Sequence, residues 1–150
     1  GEPPLFTDFT YDNLGVPRNP ANLFYGQDKA HNPDGARFVD RGLGAAVNKP
    51  AEDGKFKVPT LRNIARTAPY MHNGYFTTLR GAVAFYNDRD VRKRCPQDLP
   101  EAEANRRKCW PAPEVAANVN TDELGRLGLS EREVDDIVAF LRTLDDGYLK

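Results

Sequence analysis

Residues 1–55 carry no repeating apolar pattern, and that constrains the fold more than any motif does. Leu5, Phe6, Phe9, Tyr11, Leu14, Phe24, Tyr25 and Phe38 follow neither the period of a strand nor that of a helix for long. Turn signals interrupt them at Asp12-Asn13, Arg18-Asn19-Pro20, Asn32-Pro33-Asp34-Gly35 and Asp53-Gly54. A coil of this length is abnormal inside a compact domain; it belongs to a loop wrapped around something, or to a segment of a larger whole. Composition sharpens the point. The 150 residues suit one domain, but Leu, Ile, Val and Phe make up only about a fifth of them, close to the level at which chains stop folding. A net charge of −1 and an aromatic content of 10% argue against wholesale disorder. The 12 glycines and 12 prolines imply long, shaped loops. Such a chain buries a modest core unless a bulky cofactor or a partner supplies apolar surface.

Several function classes drop out. No stretch approaches the roughly 20 apolar residues of a membrane-spanning helix. Charges of both signs are interspersed, with Arg106-Arg107-Lys108 the longest basic run, so there is no basic stripe for nucleic acid. The opening Gly1-Glu2-Pro3-Pro4 has no Met, no basic stretch and no apolar run of a leader, so the chain reads as mature, processed or a piece of a longer one. Cys95 and Cys109 are too far apart for a Cys-x-x-Cys pair, a zinc ribbon or a Cys-x-x-Cys-His haem-attachment motif. In an oxidising compartment they read as a disulfide stapling an aperiodic loop, which stabilises by roughly 3 kcal/mol at that loop size. Two free thiols of a cytosolic protein are the alternative.

Regular structure is expected after Pro59. Thr60 can cap a short helix with Leu61, Ile64 and Ala65 on one face, ended by Thr67-Ala68-Pro69. The loop Tyr70-Met71-His72-Asn73-Gly74-Tyr75-Phe76 follows. Thr77 or Thr78 then caps a second helix with Leu79, Ala82, Val83 and Tyr86 at helical spacing. Gly81 inside that helix costs about 1 kcal/mol against alanine, which calls for a packing reason such as the close approach of another surface. Residues 88–113 form a charged, proline-containing excursion around the cysteines and Trp110. Leu124–Leu129 reads as a short turn of helix and a connector. Ser130 and Glu133 make a capping box for the clearest helix, whose stripe is Val134, Ile137, Val138, Leu141 and Leu144, stopped by Asp145-Asp146-Gly147. No alternating strand pattern of useful length survives, so the fold class is mainly α with much coil.

Chemistry-bearing residues gather between Thr67 and Tyr86. Each has a plain reading: Met71 fills a gap, His72 is a hydrogen-bonded spacer, and Tyr86 packs on the inner stripe of its helix. There is no Gly-x-Ser-x-Gly, phosphate loop or His-Glu-x-x-His. Composition and spacing stop at an α-rich soluble domain, with cofactor dependence left open.

Resemblance goes further. The runs Leu5-Phe6-Thr7-Asp8-Phe9-Thr10-Tyr11-Asp12-Asn13-Leu14-Gly15-Val16-Pro17, Gly54-Lys55-Phe56-Lys57-Val58-Pro59-Thr60-Leu61-Arg62-Asn63-Ile64, and Thr67-Ala68-Pro69-Tyr70-Met71-His72-Asn73-Gly74 resemble the di-haem cytochrome c peroxidase and MauG family. So does the tail from Leu127 to Leu144. The likeness covers most of the chain and leaves out roughly 88–113, a family-divergent insertion. It implies a single cytochrome c-like domain over residues 1–150, corresponding to the C-terminal half of a di-haem peroxidase and beginning just after that half's Cys-x-x-Cys-His. The haem c attachment motif is then not in this chain, and a missing N-terminal haem domain or a companion chain is implied.

The resemblance also implies roles. Fourteen residues beyond His72, the family's distal iron ligand falls on Tyr86, where bacterial peroxidases carry a methionine and MauG a tyrosine. A thioether favours ferrous iron; a phenolate is a hard anionic donor that favours ferric and higher states. Met71 is the rival ligand, and no side-chain ligand from this chain is the remaining alternative. His72 matches a histidine near the haem edge, and Lys57 and Arg62 are candidates to face haem propionates, with ordinary surface charge as the plain reading. Backbone carbonyls of Thr67 and Pro69 match ligands of a calcium ion between the haem domains. The family reduces hydrogen peroxide in the periplasm with electrons from a redox protein donor. This chain is expected to hold or relay electrons at the C-terminal haem and to be inactive alone. A non-catalytic electron-transfer or structural subunit that docks on another haem-bearing chain is the alternative.

Overall fold

Sequence pattern and structure agree best at the C-terminal helix. The structure is a computed structural model that describes residues 6–147; Leu5 and the Gly1–Pro4 opening lie outside the described residues. Helix α4 (Glu131–Arg142) begins at the capping box, with the Ser130 hydroxyl accepting from the Glu133 backbone and the Glu133 carboxylate accepting from Ser130 N at 2.8 Å. Val134 and Val138 are buried, while Ile137, Leu141 and Leu144 are partly covered. This stripe packs on helix α2 (Leu79–Asp88). Arg80 ties the two together by donating to Asp135 Oδ1 at 2.8 Å and to Glu131.

Thr78 is the cap of α2, its hydroxyl accepting from Gly81 N at 3.0 Å. The surface that demands Gly81 is a carboxylate. A Cβ there would lie 1.7 Å from Glu101 Oε1, and the buried Glu101 accepts from Thr77 N at 2.6 Å and Thr77 Oγ1 at 2.7 Å. Glu101 opens helix α3 (Glu101–Arg106) within the excursion. Two-residue strands β3 (Lys93–Arg94) and β4 (Cys109–Trp110) pair in parallel, and Cys95 and Cys109 form the expected disulfide. Fully buried Trp110 packs edge-on against Phe76 and Phe85, at centroid distances of 5.7 and 5.3 Å. Its indole N–H donates to Asp88 Oδ1 at 2.8 Å.

The opening segment is irregular but not structureless. Strand β1 (Tyr11–Asp12) pairs antiparallel with β2 (Phe56–Lys57), and helix α1 (Leu43–Val47) lies between them. Buried Asn13 donates to Val115 O at 3.1 Å and Ala117 O at 2.7 Å, and it presses on Gly54, where a Cβ would lie 2.4 Å from its amide nitrogen. The fully buried Arg89 side chain completes the clamp. It donates to Leu14 O at 2.9 Å and Asn120 O at 2.7 Å, and pairs with Asp90.

Two expected helices are not there. Past Pro59 only a 3-10 turn, Ile64–Arg66, forms. Asn63 takes a left-handed conformation, and its N–H donates to Leu144 O at 2.8 Å, so the loop is tied to the end of α4 instead of coiling on itself. Leu124–Leu129 is an extended connector. Gly125 and Gly128 both have positive φ, and Asn87 holds Leu129 from both sides, donating to its carbonyl and accepting from its N–H. The expectation of a mainly α fold therefore holds only in part. Helices are the longest elements, but two of the four have five and six residues, and irregular chain joins them.

Candidate functional site

The stripes of α2 and α4 converge on a cavity of about 910 Å³. Leu79, Val83 and Tyr86 line it from α2, Ile137 and Leu141 from α4, and Leu127 and Leu129 from the connector. The opposite wall is Leu14, Val16, Phe56, Val58, Leu61 and Ile64. This is why residues that pattern as core are only partly covered: they face an apolar space, not one another. A void of this size lies in the range of small-molecule and cofactor sites, and no compact domain spends this much of a scarce apolar complement on lining empty space without cost.

All seven candidate residues meet here. Tyr86, Met71, His72, Lys57, Arg62, Thr67 and Pro69 line the same cavity, although Lys57 lies 29 residues from Tyr86 in sequence. The Met71-His72 loop is positioned by backbone and amide bonds. Tyr70 N donates to Phe76 O at 2.8 Å, Asn73 Nδ2 to Pro17 O at 2.8 Å, and Asn19 Nδ2 to Asn73 O at 2.9 Å. The Tyr86 hydroxyl makes no hydrogen bond among the described residues. Burial, and then the nearby Asp12 carboxylate, push its phenol up to about 12. A tyrosine in that condition is a protonated phenol unless a cation lies beside it. Lys57 and Arg62 supply positive charge to the cavity lining, with Lys57 Nζ 5.1 Å from the Phe9 ring centroid.

His72 has neighbours that its sequence context does not reveal. Its ring stacks on Phe56, with centroids 3.6 Å apart and planes 6° off parallel. Its Nε2 lies 4.0 Å from Glu114 Oε2. Glu114 is 4% exposed at its side chain, accepts from the Tyr25 hydroxyl at 3.1 Å through Oε1, and leaves Oε2 without a hydrogen-bond partner among the described residues. Phe56 stands in a run that carries the family resemblance; Glu114 has no local signal at all.

The residues fit a haem in wall polarity, cavity size, cations and an unpaired oxygen donor. For calcium, Thr67 and Pro69 line the same cavity, and their two backbone carbonyls are only part of the six to eight oxygen ligands the ion takes.

Known proteins bear on this geometry. The chain is 44% identical over 144 residues to methylamine utilization protein MauG of Paracoccus denitrificans, matching 94% of this chain and 35% of that protein. It is 33% identical over 153 residues to cytochrome-c peroxidase IdrP1 of Denitromonas iodatirespirans, matching 94% of this chain and 34% of the relative. This chain belongs to the di-haem cytochrome c peroxidase and MauG family. The crystal structure of the diheme peroxidase BthA from Burkholderia thailandensis superposes with a TM-score of 0.62 at 32% identity, over 95% of this chain and 35% of that one. No protein-family model matches. The chain thus spans about a third of the length of the relatives it matches. Among the described residues no helix is long and apolar enough to cross a membrane.

Proposed function

We propose that this chain is the C-terminal haem domain of a periplasmic di-haem peroxidase or MauG-like oxidoreductase, holding or relaying electrons while the complete protein reduces hydrogen peroxide. The observation that carries the reading is the cavity of about 910 Å³ whose apolar walls come from four separate segments and into which α2 brings an unpartnered phenol. Family membership and the Cys95–Cys109 disulfide, which suits an oxidising compartment, point the same way.

Bound haem supplies a one-electron iron couple whose potential follows the axial donor. Tyr86 would hold the iron through its phenol oxygen, giving up the proton that burial otherwise keeps on it. Met71, the rival, lines the same cavity in a left-handed backbone conformation. Leu79, Val83, Ile137 and Leu141 would exclude water from a bound haem, which would keep the local dielectric low and strengthen every charge interaction inside. Lys57 and Arg62 would neutralise propionates. The thioether cysteines and the proximal histidine would come from outside this chain, along with the peroxide-reacting haem and the donor protein's docking face.

Absorption spectra of the purified protein, oxidised and reduced, together with an intact mass, test this. A Soret band, with masses that show a companion haem-bearing peptide or chain, is the expected result. A folded, colourless protein would sink the haem reading and leave a docking role on another haem-bearing chain.

A further inference from the structure

Stacking on Phe56 fixes the plane of the His72 ring but not its flip. Turning the ring by half a revolution about its attachment keeps the stack and exchanges each nitrogen with a carbon. Something else must choose, and Glu114 is placed to do so. It does not line the cavity, whereas His72 does. Its Oε1 is already engaged by the Tyr25 hydroxyl, with Arg18 over the Tyr25 ring at 3.9 Å. Its other oxygen, Oε2, is the buried side-chain polar atom without a partner among the described residues, and Nε2 of His72 lies 4.0 Å from it. A buried acceptor with no donor carries the desolvation penalty of an unpaired polar group. A ring flip that turned a C–H toward Oε2 would make that penalty permanent.

We infer that Glu114 is a positioning residue for His72: its free Oε2, 4.0 Å from Nε2 and so just outside hydrogen-bond length here, attracts the Nε2–H, fixes ring flip and tautomer, and leaves Nδ1 as the acceptor. This rests on the haem-pocket reading for its consequence, though not for the contact itself. A histidine so fixed accepts at Nδ1 and holds a donor there, a water or a protonated carboxyl, and not a bare carboxylate. Glu114 then acts on the cavity only through the orientation of His72, as outer hydrogen-bond partners do for the histidines of metal sites.

The test reads the tautomer directly. The full-length protein, labelled with ¹⁵N-histidine and held in the reduced state, is examined by long-range ¹H–¹⁵N NMR, with the His72 signals identified by their loss in His72→Phe. The expected wild-type result is a single tautomer with the hydrogen on Nε2. Glu114→Gln keeps an acceptor oxygen and should retain that tautomer; Glu114→Leu removes the acceptor and should give a mixture. The haem midpoint potential should move further in Glu114→Leu than in Glu114→Gln, since both lose the same charge and only one loses the hydrogen bond. The wild type alone is decisive if the leucine variant does not fold. A hydrogen on Nδ1, a doubly protonated ring or a wild-type mixture overturns the inference, and so does an unchanged tautomer in Glu114→Leu. A missing Soret band would overturn the pocket reading and leave the tautomer result to be judged on its own.

Discussion

Helix α2 has two faces that were finished differently. One carries Gly81, Ala84, Phe85 and Asp88 and is packed by the disulfide-bound excursion beside an open, largely polar groove of about 630 Å³: Glu101 sits on Gly81, Trp110 on Phe85, and the indole N–H on Asp88. Ring meets ring and donor meets acceptor. The other face carries Leu79, Val83 and Tyr86, opens on a cavity of about 910 Å³, and leaves a phenol without a partner. A single helix of ten residues thus separates a closed core from an unclosed one. The contrast teaches where the missing apolar surface belongs. A chain with about a fifth of its residues as Leu, Ile, Val and Phe closes one core by itself and, in the proposed function, presents the rest to haem.

Changes on the closed face should cost most. Trp110→Ala should lose about 4 kcal/mol of folding free energy, the scale of a large buried aromatic removed from a packed core, read from urea unfolding. Next comes the clamp. Asp90→Asn leaves the fully buried Arg89 guanidinium without its carboxylate and should cost about 3 kcal/mol. The same pair sets an acid dependence. The hydrogen bond from Arg89 holds the Asp90 carboxyl below the ordinary aspartate range. Its contribution is therefore present above the unfolded-state value and is lost as pH falls through the folded one. Unfolding midpoints from pH 7 down to 3 should decline, and Asp90→Asn should flatten that decline. Gly81→Ala, pushing a methyl into Glu101, should cost about 2 kcal/mol by overpacking. On the open face, Val83→Ala should cost about 1 kcal/mol or less in haem-free protein. The cost should rise when haem is present, because only then do those methyl groups meet a packed surface. An equal cost in both forms would erase the distinction between the two faces.

What was legible in the sequence follows the range of each interaction. Helix α4 was readable because its cap and stripe are local; that Met71 and His72 line the cavity was foreshadowed by the continuous run from Thr67 to Gly74, and Tyr86 by its spacing from His72. Helix α3 carried signals that went unused: Pro100 before it, Glu101 and Glu103 in its first turn, Arg106 in its last. The helix expected at Thr60 failed for a long-range reason, since Asn63 is held by Leu144 and exchanges side-chain bonds with Asp146. Glu114 was invisible because it meets His72 from 42 residues away and earns its place only from the buried oxygen it leaves free. The second face of α2 was hidden likewise, Gly81 alone hinting at Glu101.

The open face is tested most directly by the ferric absorption and electron paramagnetic resonance spectra of haem-loaded wild type beside Tyr86→Phe. Ligation by Tyr86 requires that the ferric bands and g-values change on loss of the phenol oxygen, and that the midpoint potential rise as a hard anionic donor is removed. Identical spectra and an unchanged potential would contradict it, and would return Tyr86 to the role of a wall residue.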